Sequence, residues 1–352
     1  RARHIAPASS VCCRSSEKMK MKTAFFLLFA FAVVNCMALE KLELDGIWDF
    51  RFEKGRSLED VKMPDFAADD RMVVPGCWDA MSCHYNERGT GCYRRKFELK
   101  EDVLDAFLVV DGCAVRSRFW IDGREIGTSV IPWNKFDFRT GPLKAGEHEI
   151  IAAIDSIVDN AKVKLFWNFY DFYASGGFHH GVWLETQKTP DEIRKIVVRT
   201  RDYRSGLVEI EARFAAVNAP ADFSATVAFD KGLAKKVDFK NRRATLKVPD
   251  FKLWSHIEPN LHSVSVAMPN SRSSASFGIR QVGVAGNRIT LNGQAVYLKG
   301  VNRHEAHYEF GSTTPIQLMY EDIKNLKGLG GNFIRGAHYP QTDRFLDLCD
   351  EL

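Results

Sequence analysis

The sequence predicts a multidomain protein built mainly from β-sheets, with a parallel α/β unit at its carboxyl-terminal end. Three observations support this prediction. The length of 352 residues exceeds one small domain, apolar and polar residues alternate with period two in many segments before residue 277, and helical spacing follows after it. We therefore expect a jelly-roll β-sandwich, then an immunoglobulin-like β-sandwich, then the start of a (β/α)8 barrel that is cut off.

The beginning of the chain resembles an export signal. Two lysines, Lys20 and Lys22, precede an apolar run of 11 residues at positions 24–34, and Ala38 completes a small-residue cleavage site. Eleven residues are too few for a membrane span, which needs about 20. We expect residues 19–38 to be a signal peptide and the mature protein to be secreted or periplasmic.

Two further expectations concern the same region. Residues 1–18 precede the first methionine, so we expect them to be an upstream segment that is not native to the protein. Cys36 offers an alternative to cleavage at Ala38, because a cysteine at this position can carry a lipid anchor. The Asn35 before it fits that alternative poorly, and we rank it second.

The charge balance argues against nucleic acid as a partner. The net charge of +4 comes from the first 22 residues, and the rest of the chain carries 43 Lys/Arg against 44 Asp/Glu. A nucleic-acid-binding protein would need a basic face. Five cysteines follow residue 38 without a C-x-x-C pair, so we expect neither a disulfide framework nor a zinc site, although one bridge is compatible with export.

Residues 39–190 predict the first sandwich. The stretch "RFWIDGREIG" holds Asp122-Gly123 between two short alternating runs, which is a hairpin pattern. Further strands are expected at "ELDGIWDF", "YRRKFEL" and "EHEIIAAID". Residues 191–279 predict the second sandwich, because "LVEIEARF", "ATLKV" and "HSVSVAM" alternate with one apolar face.

Residues 280–352 predict a barrel start. A hairpin around Asn292-Gly293 leads into an expected strand near residues 296–300, and Pro315 begins a helix. A second strand, "NFIRGAHYP", and a second helix, "TDRFLDLCDEL", follow. Strand, helix, strand and helix in this order indicate parallel pairing, and a complete barrel would need about 250 residues.

Polar residues gather at the ends of these two strands. His304 follows the first strand, while Arg335 and His338 lie at the end of the second. Active sites form at this edge of parallel sheets, so we favour function over solvated loop residues. A metal site at His304, Glu305 and His307 is the competing interpretation. We set it aside because the run is neither H-E-x-x-H nor helical.

One carboxylate lies within an aromatic segment, "FWNFYDFYASGGFHHGVWLE". Most of these rings are expected in the sandwich core, but Asp171 would be costly there without partners. Aromatic faces beside an acceptor suit a sugar. For Asp171 we therefore predict a functional role.

Together these stretches resemble the amino-terminal part of glycoside hydrolase family 2, the β-galactosidase and β-glucuronidase group. The matching runs cover residues 42–352 in the order of the family's domains. They are "VPGCWD", "GTGCYRRKFEL", "GGFHHGVWLE", "LWSHIEPNLHSV", "FGIRQV", "LNGQAVYLKGVNRHE" and "FIRGAHYPQTDRFLDLCDE". The runs "GVNRHE" and "R-x-x-HYP" are the most specific of them.

The resemblance implies roles for four residues. His304 and His338 match histidines that contact the sugar and stabilise the transition state, and Arg335 matches an arginine that supports the site. Asp171 matches an acid contributed by the first domain. Arg88 departs from the pattern, because some β-galactosidases carry a sugar-contacting asparagine there.

The resemblance also implies a retaining mechanism, in which one glutamic acid protonates the leaving group and another attacks the sugar. We expect both beyond Leu352, so that the stretch by itself is inactive. No cofactor is identifiable from the sequence. Whether the complete enzyme needs a divalent metal is a question that the sequence leaves open. The expected partner is a carbohydrate substrate. We expect no membrane-spanning segment, and assembly into a homo-oligomer is compatible with the sequence. β-Galactosidase is preferred over β-glucuronidase or β-mannosidase, and a noncatalytic carbohydrate-binding sandwich is the alternative from another class.

Overall fold

A computed structural model describes residues 39–63, 65–158, 173–230 and 232–352. These residues belong to one compact unit of the chain. Antiparallel β-sheets make up most of the regular secondary structure, as the alternating sequence predicts, and a parallel pair of strands with two helices follows.

The first part of the fold is a sandwich of two antiparallel sheets. Its strands are β1 (Glu40–Glu43), β2 (Gly46–Lys54), β3 (Asp70–Val74), β4 (Gly76–Cys77), β5 (Gly89–Leu99), β6 (Asp105–Asp111), β7 (Arg116–Ile121), β8 (Arg124–Ser129), β9 (Lys135–Arg139), β10 (Gly146–Asp155), β11 (Gly177–Phe178) and β12 (Val182–Gln187). One sheet has the order β1-β12-β6-β9 and the other β3-β2-β5-β10-β7-β8, while β4 pairs with β11. A four-residue helix, α1 (Trp78–Met81), follows β4.

Side chains that alternate along these strands fill the space between the two sheets. Trp48 and Phe50 on β2 point into the core, where they meet Tyr93 of β5 and Leu108 of β6. All four are fully buried, and burying one such side chain contributes about 1.5–3 kcal/mol. The hairpin predicted at Asp122-Gly123 joins β7 and β8 and is confirmed.

The second part packs a three-stranded sheet, β13-β14-β17, against a four-stranded sheet, β16-β15-β18-β19. Its strands are β13 (Ile193–Asp202), β14 (Leu207–Phe214), β15 (Phe223–Phe229), β16 (Lys235–Phe239), β17 (Arg243–Lys247), β18 (His262–Met268) and β19 (Ser271–Phe277). The alternation in "LVEIEARF" places Val208 and Ile210 in the core, as predicted.

The third part begins with a small antiparallel sheet and continues into the parallel unit. Its elements are β20 (Val282–Ala285), β21 (Arg288–Leu291), β22 (Gln294–Ala295), β23 (Gly300–Arg303), α2 (Ile316–Gly328), β24 (Phe333–Gly336) and α3 (Asp343–Glu351). The hairpin at Asn292-Gly293 joins β21 and β22. The expected strand at residues 296–300 was placed too early, because β23 begins at Gly300, where pairing with β24 starts.

Two global expectations can be compared with the described residues. The cysteines Cys77, Cys83, Cys92, Cys113 and Cys349 are all free, so the disulfide that export would allow is not formed among them. Within residues 39–352, apart from the gaps given above, the structure contains no helix that is both long and apolar enough to cross a membrane.

Candidate active site

The two strands that carry the predicted site residues pair in parallel. Gly300 lies opposite Phe333 and Arg303 opposite Gly336, so that both strands end at the same edge. A Cβ atom on Gly300 would lie 1.7 Å from the carbonyl oxygen of Phe333, which is why a glycine is required at the start of β23. The helix α2 crosses between the strands and packs Met319 and Ile323 with Phe345 of α3.

His304 and His338 come together just past this edge. Their ring centroids are 5.1 Å apart, with the rings nearly perpendicular. His304 is half-buried, while His338 is exposed and follows a cis peptide bond after Ala337. The structure thus brings together two residues that lie 34 positions apart in the sequence, as the parallel pairing predicted.

Arg335 holds His338 in one orientation. Its Nη1 donates a hydrogen bond to Nδ1 of His338 at 3.1 Å, and the same nitrogen lies 3.4 Å from Oδ1 of Asn302 on the neighbouring strand. Because Nδ1 accepts this bond, the proton of a neutral His338 ring is on Nε2. In a neutral ring, His338 therefore carries its N–H donor on the nitrogen that does not contact Arg335.

Glu305 joins the barrel start to the first sandwich. Its side chain is almost fully buried, and Oε2 lies 3.2 Å from Nε2 of His180 in the sandwich. Its backbone N–H donates to the hydroxyl of Tyr339 at 2.9 Å. Both contacts of Glu305 thus connect the barrel start with other parts of the fold, while its Oε1 is buried without a hydrogen-bond partner among the described residues.

Tyr339 forms a second junction between the two parts. Its ring stacks on Trp133 of the sandwich, with centroids 4.4 Å apart and planes 10° from parallel. Burial raises the pKa of the Tyr339 phenol to about 12, so it stays protonated. Val158 and Ala174 pack in the same cluster. Val158 and Ala174, which lie on either side of residues 159–172, are thus close to the residue that follows His338.

A cleft of about 400 Å³ opens between the first sandwich and the loop after β23. Its lining residues are Asp79, Ala80, Tyr85, Asn86, Tyr173, Ser175, Ala306, His307, Tyr308 and Gly311. Asp79 was not predicted as a site residue, although it is the last residue of the "VPGCWD" run. Its Oδ2 accepts a hydrogen bond from the Gly176 N–H at 2.9 Å, and burial raises its pKa despite the nearby Arg88.

Arg88, which departs from the galactosidase pattern, is used within the protein. Its guanidinium lies 4.0 Å from the centre of the Tyr173 ring and 3.7 Å from Oδ2 of Asp79. It also donates to the carbonyl oxygen of Ala174. These contacts anchor the chain after residue 172 to the start of β5. Arg88 is therefore a residue that supports the cleft wall.

Asp171, the remaining predicted site residue, lies outside the described residues. The structure brings together His304, Arg335 and His338 and adds Asn302, Glu305 and Tyr339 around them. The signal for the added residues was weak in the sequence. Tyr339 occurs in the "HYP" run, and Glu305 directly follows His304.

Comparisons with known proteins show which enzymes the chain is similar to. A family model described as the TIM barrel domain of glycosyl hydrolases family 2 matches residues 282–352. A β-galactosidase of Vibrio cholerae is 28% identical over 88% of this chain, and one of Pseudoalteromonas haloplanktis is 25% identical over 89%. These alignments cover 34% and 35% of the two relatives, so the chain spans about a third of their length.

Solved structures give the same picture at the level of the fold. A family 2 β-galacturonidase from Eisenbergiella tayi superposes with a TM-score of 0.73 and 25% identity, over 89% of this chain and 55% of that protein. A β-glucuronidase from an uncultured Clostridium species has a TM-score of 0.76 at 22% identity, over 89% and 57% respectively, which shows the fold alone.

Proposed function

Because the chain belongs to glycoside hydrolase family 2, we propose that the protein hydrolyses terminal β-linked sugars as a retaining, exo-acting β-glycosidase. The observation that carries this proposal is the pairing of His304 and His338 at the ends of two parallel strands. That edge is where barrels of this type carry their active sites. The complete domain order that we propose is a jelly-roll sandwich at 39–190, an immunoglobulin-like sandwich at 191–279 and the barrel from 280.

The two histidines have a direct chemical use in this reaction. A neutral imidazole with its proton on Nε2 can donate a hydrogen bond to a sugar hydroxyl, and Arg335 imposes this form on His338. Hydrogen bonds to hydroxyl groups that strengthen as the ring becomes an oxocarbenium-like species lower the barrier. His304 and His338 therefore position the sugar and stabilise the transition state.

The covalent steps require two carboxyl groups about 5–5.5 Å apart in a retaining enzyme. One protonates the leaving oxygen, and the other forms the glycosyl-enzyme intermediate that water then hydrolyses. From the resemblance to the family, we propose that both are glutamates on later barrel strands. His304, Arg335 and His338 then hold the sugar on which those two glutamates act.

We propose that Asp171 completes the sugar contacts from the side of the first sandwich. The described ends of its segment support this, because Val158 and Ala174 pack beside Trp133 and Tyr339. A carboxylate there would accept hydrogen bonds from sugar hydroxyls, each worth about 1.5–3 kcal/mol. The aromatic residues around Asp171 in the sequence would cover the apolar face of the sugar.

For the sugar itself, a β-galactoside is the first choice. The curated relatives reported above are named β-galactosidases, and the "GVNRHE" run resembles that branch. β-Glucuronide and β-mannoside are the alternatives within the family, and the name of the β-galacturonidase neighbour favours an acidic sugar. Arg88 stands where some β-galactosidases carry a sugar-contacting asparagine, and this departure from the pattern counts against galactose.

The decisive experiment assays the complete protein with nitrophenyl β-galactoside, β-glucuronide and β-mannoside. We expect turnover of one of them, and a loss of at least about 10-fold in kcat/KM for His304→Asn and His338→Asn. His256→Asn, on a half-buried histidine of the second sandwich, is the matched control and should retain activity. Sugar binding without any turnover would instead support the noncatalytic carbohydrate-binding alternative.

Export and assembly complete the proposal. We propose that residues 19–38 direct secretion or periplasmic export, which amino-terminal sequencing of the mature protein would test. A start of the mature chain at residue 39 supports cleavage after Ala38, whereas a lipid-modified Cys36 supports the anchor. Sedimentation of the complete protein would decide whether it is a homo-oligomer.

A further inference from the structure

Three side chains with metal-binding atoms converge on the surface of the first sandwich, far in sequence from the predicted sugar site. Asp70 is the first residue of β3, while Cys83 and His84 lie in the loop between α1 and β5. One oxygen, one sulfur and one nitrogen atom from these residues all lie within 4.8 Å of one another. No local sequence pattern indicates this group, because Asp70 is separated from Cys83 by 13 positions.

The histidine of this group is held in a fixed orientation. Its Nδ1 lies 3.1 Å from Oε2 of Glu87, and Lys54 in turn binds the other oxygen of Glu87. The ring also packs on Phe52, with centroids 4.5 Å apart. A carboxylate on one nitrogen of a histidine orients the other nitrogen toward a metal ion, and this arrangement recurs in zinc proteins.

We propose that Asp70, Cys83 and His84 form a binding site for a zinc-like transition-metal ion, with Nε2 of His84 as the nitrogen ligand. A thiolate, an imidazole and a carboxylate together match Zn²⁺, whereas Ca²⁺ and Mg²⁺ prefer oxygen ligands alone. Zinc bonds of about 2.0–2.3 Å place tetrahedral ligand atoms about 3.4–3.6 Å apart. Small rotations of the exposed Asp70 and Cys83 side chains would bring the three atoms from within 4.8 Å to that spacing.

Three protein ligands leave a fourth position of the tetrahedron for water. The site joins β3 to the loop between α1 and β5, and that loop also carries Tyr85 and Asn86 of the 400 Å³ cleft. A bound ion would therefore fix one wall of that cleft. The proposed role of the ion is structural, because it would hold the cleft wall in place. This role does not depend on which sugar the protein cleaves.

The test uses the complete protein, stripped of metal with a chelator and titrated with Co²⁺. We expect one Co²⁺ per chain at this site and a thiolate-to-cobalt charge-transfer absorption that Zn²⁺ removes by displacement. Cys83→Ser should abolish the absorption, while Cys349→Ser, on the half-buried cysteine of α3, should retain it. Glu87→Gln should weaken binding by about 10- to 100-fold, because the orientation of His84 is lost.

The carboxylate ligand is tested separately. Asp70→Asn should weaken Co²⁺ binding, and Asp65→Asn, on an exposed aspartate nearby in the sequence, should not. Zn²⁺ should also raise the midpoint of thermal unfolding by about 5 °C in the parent protein and leave Cys83→Ser unchanged. Absence of the absorption, or its persistence in a folded Cys83→Ser protein, would overturn the proposal.

Discussion

The guanidinium of Arg335 and the imidazole of His338 form one hydrogen-bonded unit at the end of β24, with 3.1 Å between Nη1 and Nδ1. Because an arginine can only donate, it fixes which ring nitrogen of a neutral His338 carries the proton. In that form Nε2 carries the N–H donor of the ring. We therefore propose that Arg335 positions His338 and does not contact the reacting atoms.

Replacing Arg335 should free the His338 ring to change its orientation and its proton position without unfolding the protein. We expect Arg335→Ala to lower kcat/KM by about 10- to 100-fold, which corresponds to the loss of one charge-assisted hydrogen bond. Nitrogen NMR of His338 should at the same time show a mixture of its two neutral forms. The matched control is Arg288→Ala on the exposed surface of β21. An unchanged proton position on His338 would contradict the positioning role.

Asp171→Asn tests the contribution of the first sandwich to the sugar site. If Asp171 accepts hydrogen bonds from sugar hydroxyls, kcat/KM should fall by about 10- to 100-fold with little change in the free energy of unfolding. Asp65→Asn, on an exposed aspartate, should change neither quantity. Unfolding of the Asp171→Asn protein, or unaltered kinetics, would mean that the residue is structural or merely exposed.

Tyr339 should contribute to stability through two separable interactions, the hydrogen bond of its hydroxyl group and the stacking of its ring on Trp133. Tyr339→Phe keeps the ring but removes the oxygen that accepts the Glu305 N–H, which should cost about 1–3 kcal/mol. Tyr339→Ala also removes the stacked ring and should cost about 3–5 kcal/mol. Urea unfolding measures both. Tyr308, whose side chain is 82% exposed, provides the control, and Tyr308→Phe should have almost no effect.

His179 should make the stability of the fold sensitive to acid. Full burial lowers its pKa to about 4, and its Nε2–H donates to the carbonyl oxygen of Ser175. The unfolded chain binds a proton near pH 6.5, so it holds more protons than the folded chain between pH 6.5 and 4. This contribution to stability is complete above pH 6.5 and is lost as the pH falls toward 4.

His179→Gln should therefore reduce the loss of stability between pH 7 and pH 4 by about 3 kcal/mol, compared with the parent. Urea unfolding at a series of pH values gives this difference, and His256→Gln is the histidine control. The prediction fails if the two variants and the parent show parallel pH profiles. Comparing profiles rather than absolute values isolates His179 from the buried carboxyl groups that titrate in the same range.

Local sequence patterns predicted much of the architecture. Period-two alternation predicted the strands around Trp48 and Val208, since one face of each had to be buried. Asp-Gly and Asn-Gly pairs predicted the two hairpins, because these residues adopt the backbone angles of a tight turn. The start of β23 was misplaced by several residues, because the apolar run before Gly300 precedes the pairing with β24.

The sequence by itself determined that His304, Arg335 and His338 would meet, because residues that follow neighbouring parallel strands end at one edge. Only the tertiary structure decided which groups surround them. The contact of Glu305 with His180 joins positions 125 residues apart, and the Tyr339 ring stacks on Trp133 in the loop between β8 and β9. Such contacts follow from how the sandwich packs against the barrel start, and no local pattern of side chains encodes that packing.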